Sequence, residues 1–517
     1  MKRFLLGFGA FVTIAAIILT AMISIPLAKT PNVGLSQDII IKDVAIIDVQ
    51  NGGIIPNQDV IIQDGRLASI DRTSGQTPAT SLHVVDGRGK YLAPSLWDMH
   101  THSFKTSPQF HHPLLIANGV LGVRDMSGCL SEDDSFWACI EDRQAWNRAT
   151  ETKTGLSPRY FLQSSYQTNG GNEVPDGFPS FFKVNHLSGI EQFVSFYKKA
   201  GADFIKTYSE LSPEAYKALA KQAEVQGLKI AGHQPLRVSL RETIAAKQQT
   251  IEHPRLFLIE CYKGREQFLA LADPLRAYTT EFKARLVDEH DGVRCQQMFQ
   301  EMARSDTFWT PTLQVLQLGA KAGERSFREN PRLRYIPTII RSGIWQGDAD
   351  QLAKRAVTPQ GRNVDIELYA LAMTNVAQAH DARVKILVGT DSGDSYIFPG
   401  FAVHEEMAEL VKAGISPQDV LRMATIDAAA FSGADRKFGS IEEGKAADMM
   451  LLAANPYDDI RNTQKITAIF YNGQFFDRAA LDGLLDFAEQ QAGSIRLNIR
   501  LLWDALSSPL MRVQLVD

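Results

Sequence analysis

The residues able to do chemistry gather at the ends of short apolar runs. The first run is Tyr91-Leu92-Ala93-Pro94-Ser95-Leu96-Trp97-Asp98-Met99-His100-Thr101-His102, and it ends in two histidines one residue apart. On a strand, side chains alternate faces, so His100 and His102 point the same way and Thr101 points away. Two neutral imidazoles converging at a strand end can chelate a zinc-like ion. Further along, Lys206, His233, His253 and Asp391 fall at or near the ends of ADFIKTY, KIAGH, QTIEH and VKILVGTD. Histidines, a carboxylate and a lysine at strand ends are candidate parts of a metal site that activates water. The bland alternatives are surface histidines, a turn aspartate at Asp391 and an ordinary strand-end lysine at Lys206.

Such residues meet only if the fold collects strand ends. Between about 96 and 434 the pattern alternates strands with helices, which argues for parallel βα units. Residues 202–208 read as a strand. Residues 212–226 read as a helix, with Ser212 at the cap and Pro213 at its first position, and Gly227 ends it. Residues 119–125, 160–164, 229–233, 249–253, 307–313 and 384–391 read as further strands beside the histidine strand. The tally is about eight units, the count of a (β/α)8 TIM-like barrel, whose active sites lie at the C-terminal strand ends. Residues 254–309 and 319–381 are too long for ordinary connections and read as helical insertions beside the site.

The flanks are β-rich. Residues 38–95 hold turn signals at Asn51-Gly52 and Asp64-Gly65, and residues 435–478 hold a hairpin signal at Asn472-Gly473. Together they predict one small composite β domain built from both chain ends. The fold class expected is therefore α/β: a barrel over 96–434 plus that composite domain. Residues 479–517 read as an amphipathic helical extension carrying Leu481, Leu484, Leu485, Leu501, Leu502 and Trp503. Packing on the barrel is the favoured reading over membrane contact.

The chain has 517 residues, a formal net charge of -5, 44% hydrophobic and 22% charged residues. That is an ordinary folded composition without the basic footprint of a nucleic-acid binder. Lys2 and Arg3 precede an uncharged apolar run from Phe4 to Leu27. Residues 1–28 therefore predict export, either as a cleaved signal peptide or as a retained membrane anchor. The body is expected on the extracytoplasmic side, in the periplasm or facing it. Four cysteines suit two disulfides in that setting, Cys129–Cys139 and Cys261–Cys295 on local spacing, or four buried thiols.

The segments PSLWDMHTH, GVRDMSG, GADFIKTY, IAGHQP, TIEH, LVGTDSG and GSIEEGKAADMMLL, in this order, resemble the amidohydrolase superfamily. The likeness is greatest to its imidazolonepropionase-like and prolidase-like branch. It covers residues 38–478 and departs in two places, Ser95 for a glycine and ATIDAAAFSG without an Asn-Pro. The resemblance implies a (β/α)8 barrel plus a small composite β-sandwich domain formed from both chain ends, and metal-dependent hydrolysis with two divalent ions, zinc first, though manganese or cobalt suits the same donors. It implies that His100 and His102 hold the more buried ion, and His233 and His253 the second. Carboxylated Lys206 would bridge both. Asp391 would bind metal and shuttle the proton of a metal-bridging hydroxide. Tyr208, two residues after Lys206, is a candidate donor to the substrate carbonyl.

The expected reaction is cleavage of an amide or peptide carbon–nitrogen bond in a small substrate, such as a dipeptide or an N-acyl amino acid. The alternative is a one-metal cyclic-amide hydrolase or deaminase of the imidazolonepropionase type. A small-molecule substrate is the expected partner, with membrane contact through the N-terminal segment and homo-oligomerisation left open. His111, His112, His186, His290 and His380 read as ordinary polar residues. His404-Glu405-Glu406 reads as a helix start, either solvated or near the pocket.

Overall fold

The computed structural model describes residues 13, 17, 19–73, 82–131 and 133–514. Strand β1 (Ile39–Asp48) buries most of its isoleucines and turns through Asn51-Gly52 into antiparallel β2 (Gly53–Gln63). Asp64 and Gly65, both at positive φ, make the tight hairpin to β3 (Arg66–Arg72), as an Asp-Gly pair between strands predicts. Strands β4 (His83–Asp86) and β5 (Tyr91–Pro94) run parallel to β1.

The chain then enters parallel α/β structure. Strands β6 (Leu96–Thr101), β7 (Val120–Asp125) and β8 (Arg159–Gln163) form a three-stranded sheet. Strands β9 (Phe204–Thr207), β10 (Lys229–Gly232), β11 (Thr250–Glu252) and β12 (Phe308–Thr310) form a four-stranded one. Strands β6 and β7 are buried at every position. Burial on both faces explains why they read as continuous apolar runs rather than as alternation. The helix Pro213–Val225 starts where expected, with Ser212 Oγ accepting the Ala215 N–H.

The strand expected over 384–391 is not a regular strand. It meets its neighbours through an isolated bridge, Trp309 with Ile386, and through single hydrogen bonds. The Met99 N–H donates to Val388 O at 2.9 Å and the Asp391 N–H to His100 O at 2.8 Å. Asp391 has a φ of 66°, and a left-handed residue cannot continue a pleat. The regular order is therefore two parallel sheets joined by isolated bridges, Ser164 with Phe204 and Thr101 with Ser392 among them. Among the described residues the expected eight parallel strands do not pair as one continuous ladder.

Strands β13 (Met449–Leu452), β14 (Ile466–Tyr471) and β15 (Gln474–Asp477) return to the first sheet. Its order is β15-β14-β13-β5-β1-β2-β3, with β4 on β1. Both flanks thus build one eight-stranded sheet, where two packed layers were expected. Its core includes Ile41, Val60, Leu92, Met449 and Phe470. Because β5 runs into β6 through Ser95 alone, this sheet fixes the start of the histidine strand.

Cys129 pairs with Cys139 and Cys261 with Cys295. The helices Arg478–Ala492 and Ile495–Ser507 bury Leu481, Leu484 and Leu501, while Leu502 and Trp503 are exposed. Most of the expected leader over 1–28 lies outside the described residues, of which 19–24 are helical. Among the described residues no helix is long and apolar enough to cross a membrane.

Candidate metal centre

His100 stands near the end of β6, and His102 lies one residue beyond the strand. Both rings turn the same way, as alternation requires, and both Nε2 atoms approach Asp391 Oδ1, at 3.2 and 2.9 Å. His233 and His253 follow β10 and β11 directly. His253 has a φ of 72°, which turns its ring across the strand ends. Its Nε2 lies 2.9 Å from His233 Nε2, and its Nδ1 lies 3.8 Å from Asp391 Oδ2. His100, His253 and Asp391 each offer a donor atom within 4.8 Å of the others.

The opposite edges of three rings are anchored. His100 Nδ1–H donates to Glu252 Oε2 at 2.9 Å. His233 Nδ1 pairs with Ser209 Oγ and His253 Nδ1 with Thr312 Oγ1, each at 2.8 Å. Outer partners of this kind fix ring orientation in metal sites. They leave the Nε2 atoms facing inward, and His100 Nε2 is buried without a hydrogen-bond partner. Nitrogens sharing one ion at about 2.0–2.1 Å lie about 3 Å apart, which is the spacing of His233 and His253 Nε2. The donor set fits divalent ions.

Electrostatics point the same way. Burial would raise the Glu252 carboxyl, but Arg124 Nη2, 2.9 Å from both its oxygens, and His100 bring it down to about 2. Burial likewise works to raise Asp391, and the His100, His102 and His253 rings outweigh it, holding the carboxyl well below its usual range. Burial pushes His253 down to about 3 and His233 well below the ordinary imidazole value. Both rings are therefore neutral, the ligating form.

Lys206 is 2% exposed. Burial lowers its amine to about 8, although Asp391 and Glu252 pull the other way. Its Nζ lies 5.6 Å from the centre of the Tyr208 ring, which stacks on His233 at 4.0 Å. Burial raises the Tyr208 phenol to about 12, so it stays a donor. His102, Lys206, Tyr208, Asp391, Trp137 and Asp394 line a cavity of about 280 Å³. Burial and the Asp391 charge raise Asp394 to about 7. A larger groove of about 1100 Å³ lies elsewhere, against Phe178, Phe181 and Phe196. It contains none of the candidate ligands.

All the site residues expected from the sequence converge: His100, His102, Lys206, Tyr208, His233, His253 and Asp391. The sequence reading missed what holds them. Glu252 and Arg124 are charged residues inside fully buried strands, and that mismatch was a readable signal. Asp98 accepts from Thr390 Oγ1 at 2.6 Å, Thr390 N at 3.0 Å and His100 N at 3.2 Å. It ties 384–391 to β6 where a ladder does not.

Glu406 lies in the helix Phe401–Lys412. It and His404 are fully buried, so the solvated alternative is wrong. The Glu406 carboxyl accepts the Leu313 and Gln314 N–H groups at 2.8 and 3.1 Å. That pins the helix Leu313–Lys321 just behind Thr312.

The pattern described as "Amidohydrolase family" matches residues 332–476. The solved bottromycin amidohydrolase superposes with a TM-score of 0.63 at 22% identity, covering 92% of this chain and 93% of that one. The chain matches that family's pattern over this C-terminal part and shares the fold of this solved structure. A putative prolidase from Bifidobacterium longum gives a TM-score of 0.56 at 22% identity, over 88% of this chain and 99% of that one. The amidohydrolase fold is thus shared over most of the chain.

Curated relatives are more partial. Adenine deaminase 3 of Rhizobium meliloti (strain 1021) is 30% identical over 108 residues, 17% of this chain. An adenine deaminase of Clostridium botulinum (strain Loch Maree / Type A3) is 22% identical over 457 residues, 87% of this chain. The chain spans 18% and 58% of these two relatives' lengths.

Proposed function

We propose that this chain is a metal-dependent hydrolase of the amidohydrolase superfamily, cleaving a carbon–nitrogen bond in a small amide, with a dipeptide or an N-acyl amino acid as substrate. The observation that carries this reading is the paired clustering of inward Nε2 atoms, His100 with His102 at Asp391 and His233 with His253. We read the parallel strands and the 384–391 segment together as a (β/α)8 barrel, with the flanking sheet as its companion domain.

His100, His102 and Asp391 would hold one divalent ion, and His233 and His253 a second. Such ions, when bound, lower the pKa of a water and polarise the scissile carbonyl. The rest falls to the chain. Neutral Lys206 Nζ can add to carbon dioxide, forming an N–C bond and releasing a proton, which yields an anionic carbamate that would serve as a further oxygen ligand. Asp391, kept ionised, takes a proton from the attacking water and returns it to the leaving amine. Tyr208, kept protonated, can donate to the carbonyl oxygen as charge develops there. Trp137 lines the same cavity, its ring 6.4 Å from that of His102.

The alternative, a one-metal deaminase or cyclic-amide hydrolase, draws support from the adenine deaminase relatives. Elemental analysis of protein purified without chelator separates the two, comparing the native chain with Lys206→Ala. Two metals falling to one or none supports the bridged pair. One metal in both, with activity retained, overturns it in favour of the deaminase-type reading.

A further inference from the structure

We propose that the outward face of the helix Ile495–Ser507 seats on the surface of a lipid bilayer, beside the point where the apolar N-terminal run enters the body. Two observations meet here. The first is the helix itself. Its inward side, Leu497, Leu501 and Asp504, is buried in the body. Its outward side shows Ile495 at 72%, Leu502 at 46%, Trp503 at 49% and Leu506 at 59% exposure. Offsets of seven and eleven residues place Ile495, Leu502 and Leu506 along one line of a helix, with Trp503 next to it. A contiguous apolar stripe around a tryptophan marks an interaction surface rather than scattered exposure.

The second observation selects the partner. The Arg496 guanidinium donates to the carbonyl of Pro26 at 2.9 Å and to that of Ile25. Arg500 donates to the carbonyl of Ile23. This same helix therefore holds the end of the run from Phe4 to Leu27, which carries no charge and stands behind Lys2 and Arg3. The run is long enough to cross about 30 Å of hydrocarbon. With the run in a bilayer, its tether brings the stripe to the boundary. There an amphipathic helix buries its apolar face about 5–10 Å deep and tryptophan favours the headgroup level. The other conceivable occupants are the run folded back over the helix and a second copy of the chain.

The test uses the full chain reconstituted in phosphatidylcholine vesicles, with and without bromine on the acyl chains. Of the six tryptophans only Trp503 is exposed; the others are buried or half-buried. The expected result is tryptophan quenching by the brominated lipid that disappears in Trp503→Phe. It should also disappear in Leu502→Asp/Leu506→Asp, whose metal content and melting temperature stay those of the native chain. Equal quenching in the native chain and Trp503→Phe overturns the proposal. Aqueous acrylamide then identifies the error. A Trp503 shielded from acrylamide is covered by the run or by a second copy, and one quenched by it faces open water.

Discussion

Glu252 Oε2 lies 2.9 Å from His100 Nδ1, and both side chains are sealed from solvent. Arg124 grips the same carboxylate from the other side. The pair does two things at once. It neutralises a guanidinium buried in the strand layer, and it fixes the His100 proton on Nδ1 so that Nε2 offers its lone pair inward. Glu252→Gln keeps the shape but strands the Arg124 charge. A broken buried pair costs about 3–5 kcal/mol, and a lost outer partner costs about 10–100-fold in metal affinity. Thermal melting and chelator competition would measure both; unchanged metal affinity would refute the orienting role.

Lys206 gives a pH dependence with a definite sign. Burial lowers its amine to about 8, and only the neutral amine adds to carbon dioxide. The neutral share rises with pH through that value, by about 25-fold between pH 6.5 and 8.5. Protein stripped of metal and carbon dioxide should regain activity faster at pH 8.5 than at pH 6.5 when bicarbonate is adjusted to give the same dissolved carbon dioxide at both. A carbamate carbon signal from labelled bicarbonate should grow in parallel. Recovery independent of bicarbonate would argue against the carbamate.

Glu406 acts at a distance from the ions. Its two oxygens hold the Leu313 and Gln314 N–H groups, and Thr312 just before them sits at a φ of 42° with its hydroxyl on His253. Glu406→Ala leaves buried donors unpaired, at about 1–3 kcal/mol each, and lets Thr312 relax. A lower melting temperature and weaker metal binding should appear together. Thr312→Val keeps the bulk and removes only the hydroxyl. It should weaken metal binding about tenfold with a much smaller change in melting temperature.

Gly389 marks where the irregular 384–391 segment presses on the histidine strand. A Cβ there would lie 2.5 Å from Thr310 Cγ2 and 2.8 Å from His100 N. In Gly389→Ala the backbone must move, at about 1–3 kcal/mol, and Asp391 moves with it. Metal content should fall more than stability alone explains, read by elemental analysis on the folded fraction.

Residue types and local spacing carried much of this protein in one dimension. The paired histidines of HTH, the histidines after KIAG and TIE, and the GTD aspartate were legible because strand alternation and strand ends are local properties. So were the hairpins at Asp64-Gly65 and Asn472-Gly473, where backbone conformation dictates residue type. Only tertiary structure could show that 384–391 is held by the Asp98 carboxylate and close glycine contact instead of a ladder. It alone shows that the two chain ends, expected to combine, share one sheet rather than two packed layers. It alone sets Glu252, Arg124, Thr312 and Glu406 behind the ligands. Those relationships depend on which buried charge meets which partner across long stretches of chain, and local periodicity holds no record of that.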